Sequence, residues 1–271
     1  MATITATDVK KLRDATGAGM MDAKKALTEA DGDFDAAVEI LRVSGQAKMA
    51  KRSDREASNG LVAASGKTVI QLGAETDFVA KNAEFMALAE SIAAAVDAAG
   101  ANGVEAASAV ALPSGQTVAE AVAELSARIG EKLELAAAAT FDGDVSIYLH
   151  KRSQDLPPQV GVMVEHVGGE DAFVKGIAMQ IAAMSPAYVT RDEVPEDVLE
   201  NERKIATLTA QEEGKPEQII PRIVEGRLGG FFKEVCLVEQ PSVSDDKLTV
   251  GQLLDKNGVE VKRFVRFAAG A

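Results

Sequence analysis

A single cysteine, Cys236, occurs in 271 residues, so no intramolecular disulfide can form, and this usage suits a reducing compartment. It sits in the apolar run VCLV and reads as a small buried hydrophobe. Tryptophan is absent and aromatics make up only 4% of residues, while alanine is abundant, so packing must rest on small side chains, chiefly in helices. Positive charge is also short. Lysine and arginine number 29 against 42 aspartates and glutamates, a net −13 that repels phosphate backbones and argues against nucleic acid as a direct partner. No apolar run approaches the roughly 20 residues needed to span a bilayer, and the opening MATITATDVKKLRD lacks the apolar centre of a signal peptide. A cytoplasmic chain of two or three modest domains, without a membrane partner, is expected.

Catalytic signatures are equally scarce. GLVAASGKT has the flavour of a phosphate loop, but Gly60 stands one residue too far from Gly66 and no strand-loop-helix context surrounds it, so a hairpin turn is the better account. DGDFDAAVEILR spaces Asp31, Asp33 and Asp35 like a calcium loop, yet Ala36 replaces the turn glycine and Arg42 the bidentate glutamate. Two histidines, His150 and His166, and the lone Cys236 form no ligand set at metal spacing. No metal, cofactor or catalytic group is expected.

Periodicity organises the rest. Thr5 with Asp8 forms a capping pair before Val9 and Leu12; a second helix runs from Met20 to Glu29, and Asp33 caps a third carrying Phe34, Val38 and Leu41, which Gly45 ends. Gln46 to Ser58, with Lys48, Lys51, Arg52 and Arg55, reads as a solvated basic linker, closing a docking domain over residues 1–53. Beyond it, Gly60–Ala64 and Thr68–Ala74 read as strands, Asp77–Ala99 as one helix, Thr117–Ile129 as another and Lys132–Phe141 as a strand. The order then recurs: strands at Asp144–Lys151 and Val160–Val167, a helix at Asp171–Met184, and TVGQLLDKNGVEVKRFVRF as helix and strand. EDAFVKGIAMQIAAM echoes ETDFVAKNAEFMALA. An α+β fold follows, with related subdomains over residues 54–141 and 142–271. The second holds an antiparallel helical hairpin over about 194–232, turned at Gly214-Lys215-Pro216, with Val198, Ile205, Leu208, Ile220 and Val224 among its apolar positions.

ETDFVAKN, residues 75–82, leaves two readings open. On a continuous helix Phe78, Phe85, Ala89, Ile92 and Val96 share one face, which makes Phe78 core. Alternatively Thr76 and Asp77 open a helix tip on which Phe78 stands out as an apolar anchor for a partner.

Three stretches resemble the bacterial elongation factor Ts family: TGAGMMDAKKAL at 16–27, TDFVAKN at 76–82 and VEGRL at 224–228, in order along the chain. The resemblance implies a three-helix N-terminal domain of ubiquitin-associated (UBA-like) type, a duplicated α+β core with antiparallel sheets, and the inserted hairpin. It also implies a guanine-nucleotide exchange factor for elongation factor Tu in translation elongation, not an enzyme, acting on the partner in its GDP-bound and nucleotide-free states. A homodimer of the complex is left open.

In that family the tip matching Thr76, Asp77, Phe78 and Val79 enters the partner and dislocates its magnesium. Lys10, Arg13, Met20, Met21 and Lys24 match the N-terminal docking surface, Met20 and Met21 also being candidates for core. Ile129 and Gly130, in ARIGEK, match contacts beside the tip; His150, in IYLH, and Val243, in QPSV, match further contacts. The chain departs from the family at Ser242, where phenylalanine is frequent, and in KRSQDLPPQVG after His150, longer than in some members. It ends at RFAAGA, without the extra C-terminal helix of some relatives. The rival reading is a non-enzymatic adaptor that binds through the three-helix domain alone.

Overall fold

The computed structural model describes residues 4–50 and 54–270; Lys51 and Arg52 of the basic segment lie outside the described residues. The chain forms two compact units, one made of 1–140, 149–161 and 267–271, the other of 141–148 and 162–266.

The first unit opens with α1 (Ala6–Thr16), α2 (Met20–Glu29) and α3 (Phe34–Ala50). The capping box of α1 is formed: Asp8 N–H donates to the Thr5 hydroxyl at 3.2 Å and Thr5 N–H donates to the Asp8 carboxylate at 3.0 Å. Gly17 then ends α1 at φ 67°, a conformation that favours glycine. Val9, Leu12, Ala23, Ala26, Leu27 and Ala37 make a small buried centre. Asp33 caps α3 through Ala36 N–H at 3.0 Å.

Gly45 does not end α3, which continues through it to Ala50. The residue is buried in mid-helix, where a Cβ would come within 3.1 Å of the Ala127 Cβ. Close approach of a second helix, not a stop, explains this glycine.

Next come β1 (Asn59–Ser65) and β2 (Thr68–Ala74), an antiparallel hairpin pairing Ser65 with Thr68 around Gly66-Lys67, with Gly66 at φ 49°. GLVAASGKT is therefore strand and turn, with no helix after Lys67. Helices α4 (Asp77–Ala80), α5 (Ala83–Ala99), α6 (Val104–Ser108) and α7 (Val118–Ile129) precede β3 (Leu133–Thr140), which pairs antiparallel with β2. The register shift between Gln71 and Leu72 leaves Ala136 opposite no partner, a bulge in β3. Ile70, Leu72, Phe85, Ile92 and Val96 are fully buried between sheet and helices, each contributing about 1.5–3 kcal/mol by leaving water.

The second unit, with most of β4 (Asp144–His150), β5 (Val160–Val167) and β6 (Glu260–Ala268) and all of α8 (Asp171–Met184), α9 (Glu196–Glu212), α10 (Ile220–Val235) and α11 (Val250–Asn257), repeats that order around the inserted α9–α10 hairpin. The sheets run β1-β2-β3 and β4-β5-β6, the same succession twice. Thr249 and Gln252 form a capping box on α11, as Thr117 and Glu120 do on α7. Val162, Val164, Val174, Ile181, Leu237 and Val250 lie in this unit's core.

The hairpin turns at Gly214, φ 69°, and Pro216 opens the short 3-10 turn Glu217–Ile219 that leads into α10. Its seam is built from Ala206 and Ala210 against Ile220, Val224 and Leu228. Ile205 and Leu208 instead face solvent, because two alanines let the helix backbones come close and turn the larger neighbours outward. Among the described residues no helix is long and apolar enough to cross a membrane.

Candidate functional site

The expected helix over Asp77–Ala99 is broken. One turn, α4, ends at Ala80, and Asn82 in extended conformation (φ −67°, ψ 130°) starts α5, accepting from Glu84 N–H at 2.8 Å and Phe85 N–H at 3.3 Å. An asparagine side chain that satisfies the first amides of a new helix competes with continuation of the old one. The break removes Phe78 from the α5 stripe. Phe85 is 0% exposed and Phe78 is 79% exposed.

A four-residue helix cannot hold itself in place. Its neighbours do so. Thr76 caps it, taking Val79 N–H at 3.4 Å, while Thr76 N–H donates to the Glu131 carboxylate at 3.1 Å and the Thr76 hydroxyl donates to it at 3.0 Å. Glu75 receives Lys132 N–H at 2.6 Å and the Arg55 guanidinium at 2.7 Å. Val79 and Ala80 are buried beneath the turn, and Asp77 faces Lys81 one turn on at 3.9 Å. The tip thus presents a ring and a carboxylate on a supported base.

Glu131 also brings Ile129 and Gly130 beside the tip. Gly130 ends α7 at φ 82°, and Ser126 pins the corner that follows, donating to Glu131 O at 2.6 Å and accepting from Leu133 N–H at 3.2 Å. Ile129 and Gly130 in turn line a cavity of about 600 Å³ between the N-terminal helices and α7, together with Thr16, Gly19, Leu41 and Ala127. Arg128 spans this region: its stem lies over Gly17, and its guanidinium meets Glu84 at 2.6 Å.

Met20 and Met21 do not join the α2 core, which is supplied by Ala23, Ala26 and Leu27. They are 44% and 77% exposed in the first turn of α2. Position on the helix decides this, since the apolar face begins one turn later. Lys10 and Lys24 are exposed, and Arg13 is half-buried and paired with Asp14 at 2.6 Å. His150 is exposed at the end of β4, its carbonyl accepting Gln159 N–H at 2.9 Å.

Val243, in the second unit, is 58% exposed. Its loop is held from beneath by buried Gln180, which accepts Val243 N–H at 2.7 Å and donates to Gln240 Oε1 and Pro241 O, both at 3.2 Å. Ser242 is buried and bonded to Ser244 at 2.8 Å, so the residue that departs from the frequent phenylalanine serves the loop's own turn.

Sequence reasoning missed Glu75, Asn82 and Glu131. Asn82 carried a local signal, as an asparagine two and three residues ahead of the amides it caps. Glu131 carried none, being 55 residues from Thr76.

The model of the family described as Elongation factor TS matches residues 75–271. The chain is 68% identical over 267 residues to Elongation factor Ts of Cutibacterium acnes, covering 98% of this chain and 99% of that protein. It is 58% identical to Elongation factor Ts of Mycolicibacterium smegmatis over 100% of this chain and 99% of the relative. The chain belongs to the elongation factor Ts family. The Elongation factor Ts of Mycobacterium avium is 57% identical over the same shares of the two chains. Membership makes the protein a factor of translation elongation, and its N-terminal helices and two antiparallel sheets are consistent with the fold of that family. Among the described residues Phe78 is the most exposed large apolar side chain.

Proposed function

We propose that the protein promotes release of GDP from elongation factor Tu by inserting the tip formed by Thr76, Asp77, Phe78 and Val79 into the partner and disturbing its magnesium and phosphate site. Family membership supports the coarser role of nucleotide exchange factor for elongation factor Tu. The observation that carries the finer reading is the 79% exposure of Phe78 on a turn fixed by Glu131 and Asn82. A large ring with few rotors loses little entropy when it docks.

The thermodynamics require no catalytic group. A factor that binds the nucleotide-free partner more tightly than the GDP-bound one must weaken GDP by the same ratio, and GDP must weaken the factor reciprocally. Phosphate sites of this class hold the diphosphate through aligned amides, a lysine and magnesium, so a small displacement removes several contacts together.

In this reading Lys10, Arg13, Met20, Met21 and Lys24 dock the N-terminal domain, and Ile129 and Gly130 extend the face beside the tip. His150 and Val243 supply further contacts. The test is stopped-flow release of fluorescent GDP from elongation factor Tu at fixed magnesium. Phe78→Ala slows release at saturating factor while the circular dichroism of the variant stays that of the parent; unchanged release would remove Phe78 from the mechanism.

A further inference from the structure

We infer that Glu131 is a positioning residue for nucleotide release, one half of a reciprocal carboxylate clasp that fixes the Phe78 tip and the Ile129–Gly130 corner as a single face. This inference rests on the reading of the tip given above. The clasp is built from two pairs of consecutive residues. Glu75 and Thr76 join β2 to the tip; Glu131 and Lys132 join α7 to β3. Each pair sends a carboxylate to the other's backbone: Glu131 takes Thr76 N–H at 3.1 Å, and Glu75 takes Lys132 N–H at 2.6 Å. Lys132 Nζ closes the back of the arrangement on Arg55 O at 2.8 Å.

The two carboxylates have different duties. Glu75 is nearly enclosed, its side chain 12% exposed and also bound by Arg55, which suits a strut of the sheet edge. Glu131 instead grips both polar groups of the residue that caps the tip, and Ser126 of α7 holds its own carbonyl at 2.6 Å. Force on Phe78 from a partner is therefore passed through Thr76 and Glu131 to a long helix. Without that link a single helical turn would yield instead of pushing. A charge-assisted pair at this point is worth roughly a factor of ten in the population of the held geometry.

The experiment uses the full chain with Glu131→Ala, Glu131→Gln, Phe78→Ala and the double variant Phe78→Ala/Glu131→Ala. Expected is about a tenfold loss in the maximal rate of GDP release for Glu131→Ala, with the half-saturating concentration of factor little changed. Glu131→Gln, which keeps an acceptor oxygen, recovers part of the loss. In the Phe78→Ala background the Glu131 substitution adds little, because a tip without its ring has nothing left to position. Full additivity in the double variant, or a parental rate for Glu131→Ala, overturns the inference. Amide hydrogen exchange at Thr76, measured without partner, separates the two levels of argument. Parental protection there in Glu131→Ala sinks the clasp, whereas a parental GDP-release rate in Phe78→Ala sinks the tip reading and leaves the clasp standing or falling on the amide result.

Discussion

Phe78 and Phe85 are seven residues apart, two turns on a continuous helix, yet the first ring is 79% exposed and the second fully buried. The chain separates them at Lys81 and Asn82, where α4 stops and Asn82 caps α5. Their substitutions should therefore separate stability from activity. Phe85→Ala empties a site in the first unit's core and should cost about 3–5 kcal/mol in urea unfolding. Phe78→Ala, with its ring already in water, should fall within about 0.5 kcal/mol of the parent. Equal losses in the two variants would contradict the broken helix.

The second unit contains the same experiment performed by the fold itself. After the N-cap Glu170, DAFVKGIAMQIAAM forms one uninterrupted helix, α8, and Phe173, which stands where Phe78 does, packs partly buried on its core. Asn82 has its counterpart near Ile177, a buried apolar residue that continues the helix. Asn82→Ala should lower stability by about 1 kcal/mol through loss of the cap. It should slow GDP release more than Phe85-side destabilisation alone explains, since the turn carrying Phe78 loses its downstream anchor. A variant of parental exchange rate would show that the Thr76 side suffices.

Local rules made much of this molecule legible. The capping pair Thr5/Asp8, the hairpin at Gly66-Lys67 and the Gly214–Pro216 turn each depend on residues within a few positions of one another, and each is present. The failures share a different cause. Gly45 reads as a helix stop on propensity, but its place is decided by Ala127, more than 80 residues away. The period that placed Phe78 in the core runs on through Phe85, Ala89, Ile92 and Val96; the side-chain bonds of Asn82 overrule it. Glu131 is invisible locally because its partner, Thr76, reaches it only when β2 and α7 are in place.

The close contact at Gly45 gives a third prediction. Gly45→Val adds a branched side chain where even a Cβ meets Ala127 at 3.1 Å, so α3 and α7 must separate. Overpacking of this kind costs about 1–3 kcal/mol. Proteolysis in the N-terminal helices should quicken in this variant, with the core cleaved at the parental rate. Equal acceleration throughout would mean that the contact does not join the two parts.

Acid should weaken the helix starts. Hydrogen bonds from the Thr5 side chain and backbone hold Asp8 below the usual carboxylate range, and those from Thr117 do the same for Glu120. A carboxylate with a depressed folded pKa stabilises above its unfolded value and loses that contribution as pH falls through the folded one. Stability contributed by these caps is therefore complete at neutral pH and lost below about pH 4. Asp8→Asn and Glu120→Gln should flatten the acid limb of a pH-unfolding series; an acid limb identical to the parent's would assign acid lability elsewhere.

Cys236 contributes a slope to the alkaline limb. It is fully buried at the end of α10, and burial, then the negative charge of Glu239, pushes its thiol up to about 11 from 9.0. In the folded chain the thiol keeps its proton between those values while the unfolded chain releases it. The folded state therefore binds more protons across that window, and stability falls as pH rises from about 9 to 11. Cys236→Ala creates a small void but removes this slope, so its denaturation midpoint should be lower than the parent's at pH 7 and should decline less between pH 8 and 10. Reactivity supplies the second reading. At pH 8 a thiol with a value near 11 is ionised on the order of one part in a thousand, so native Cys236 should resist iodoacetamide and react promptly once urea unfolds the chain. Rapid labelling of the native protein would place Cys236 in solvent and remove the cause of its shift.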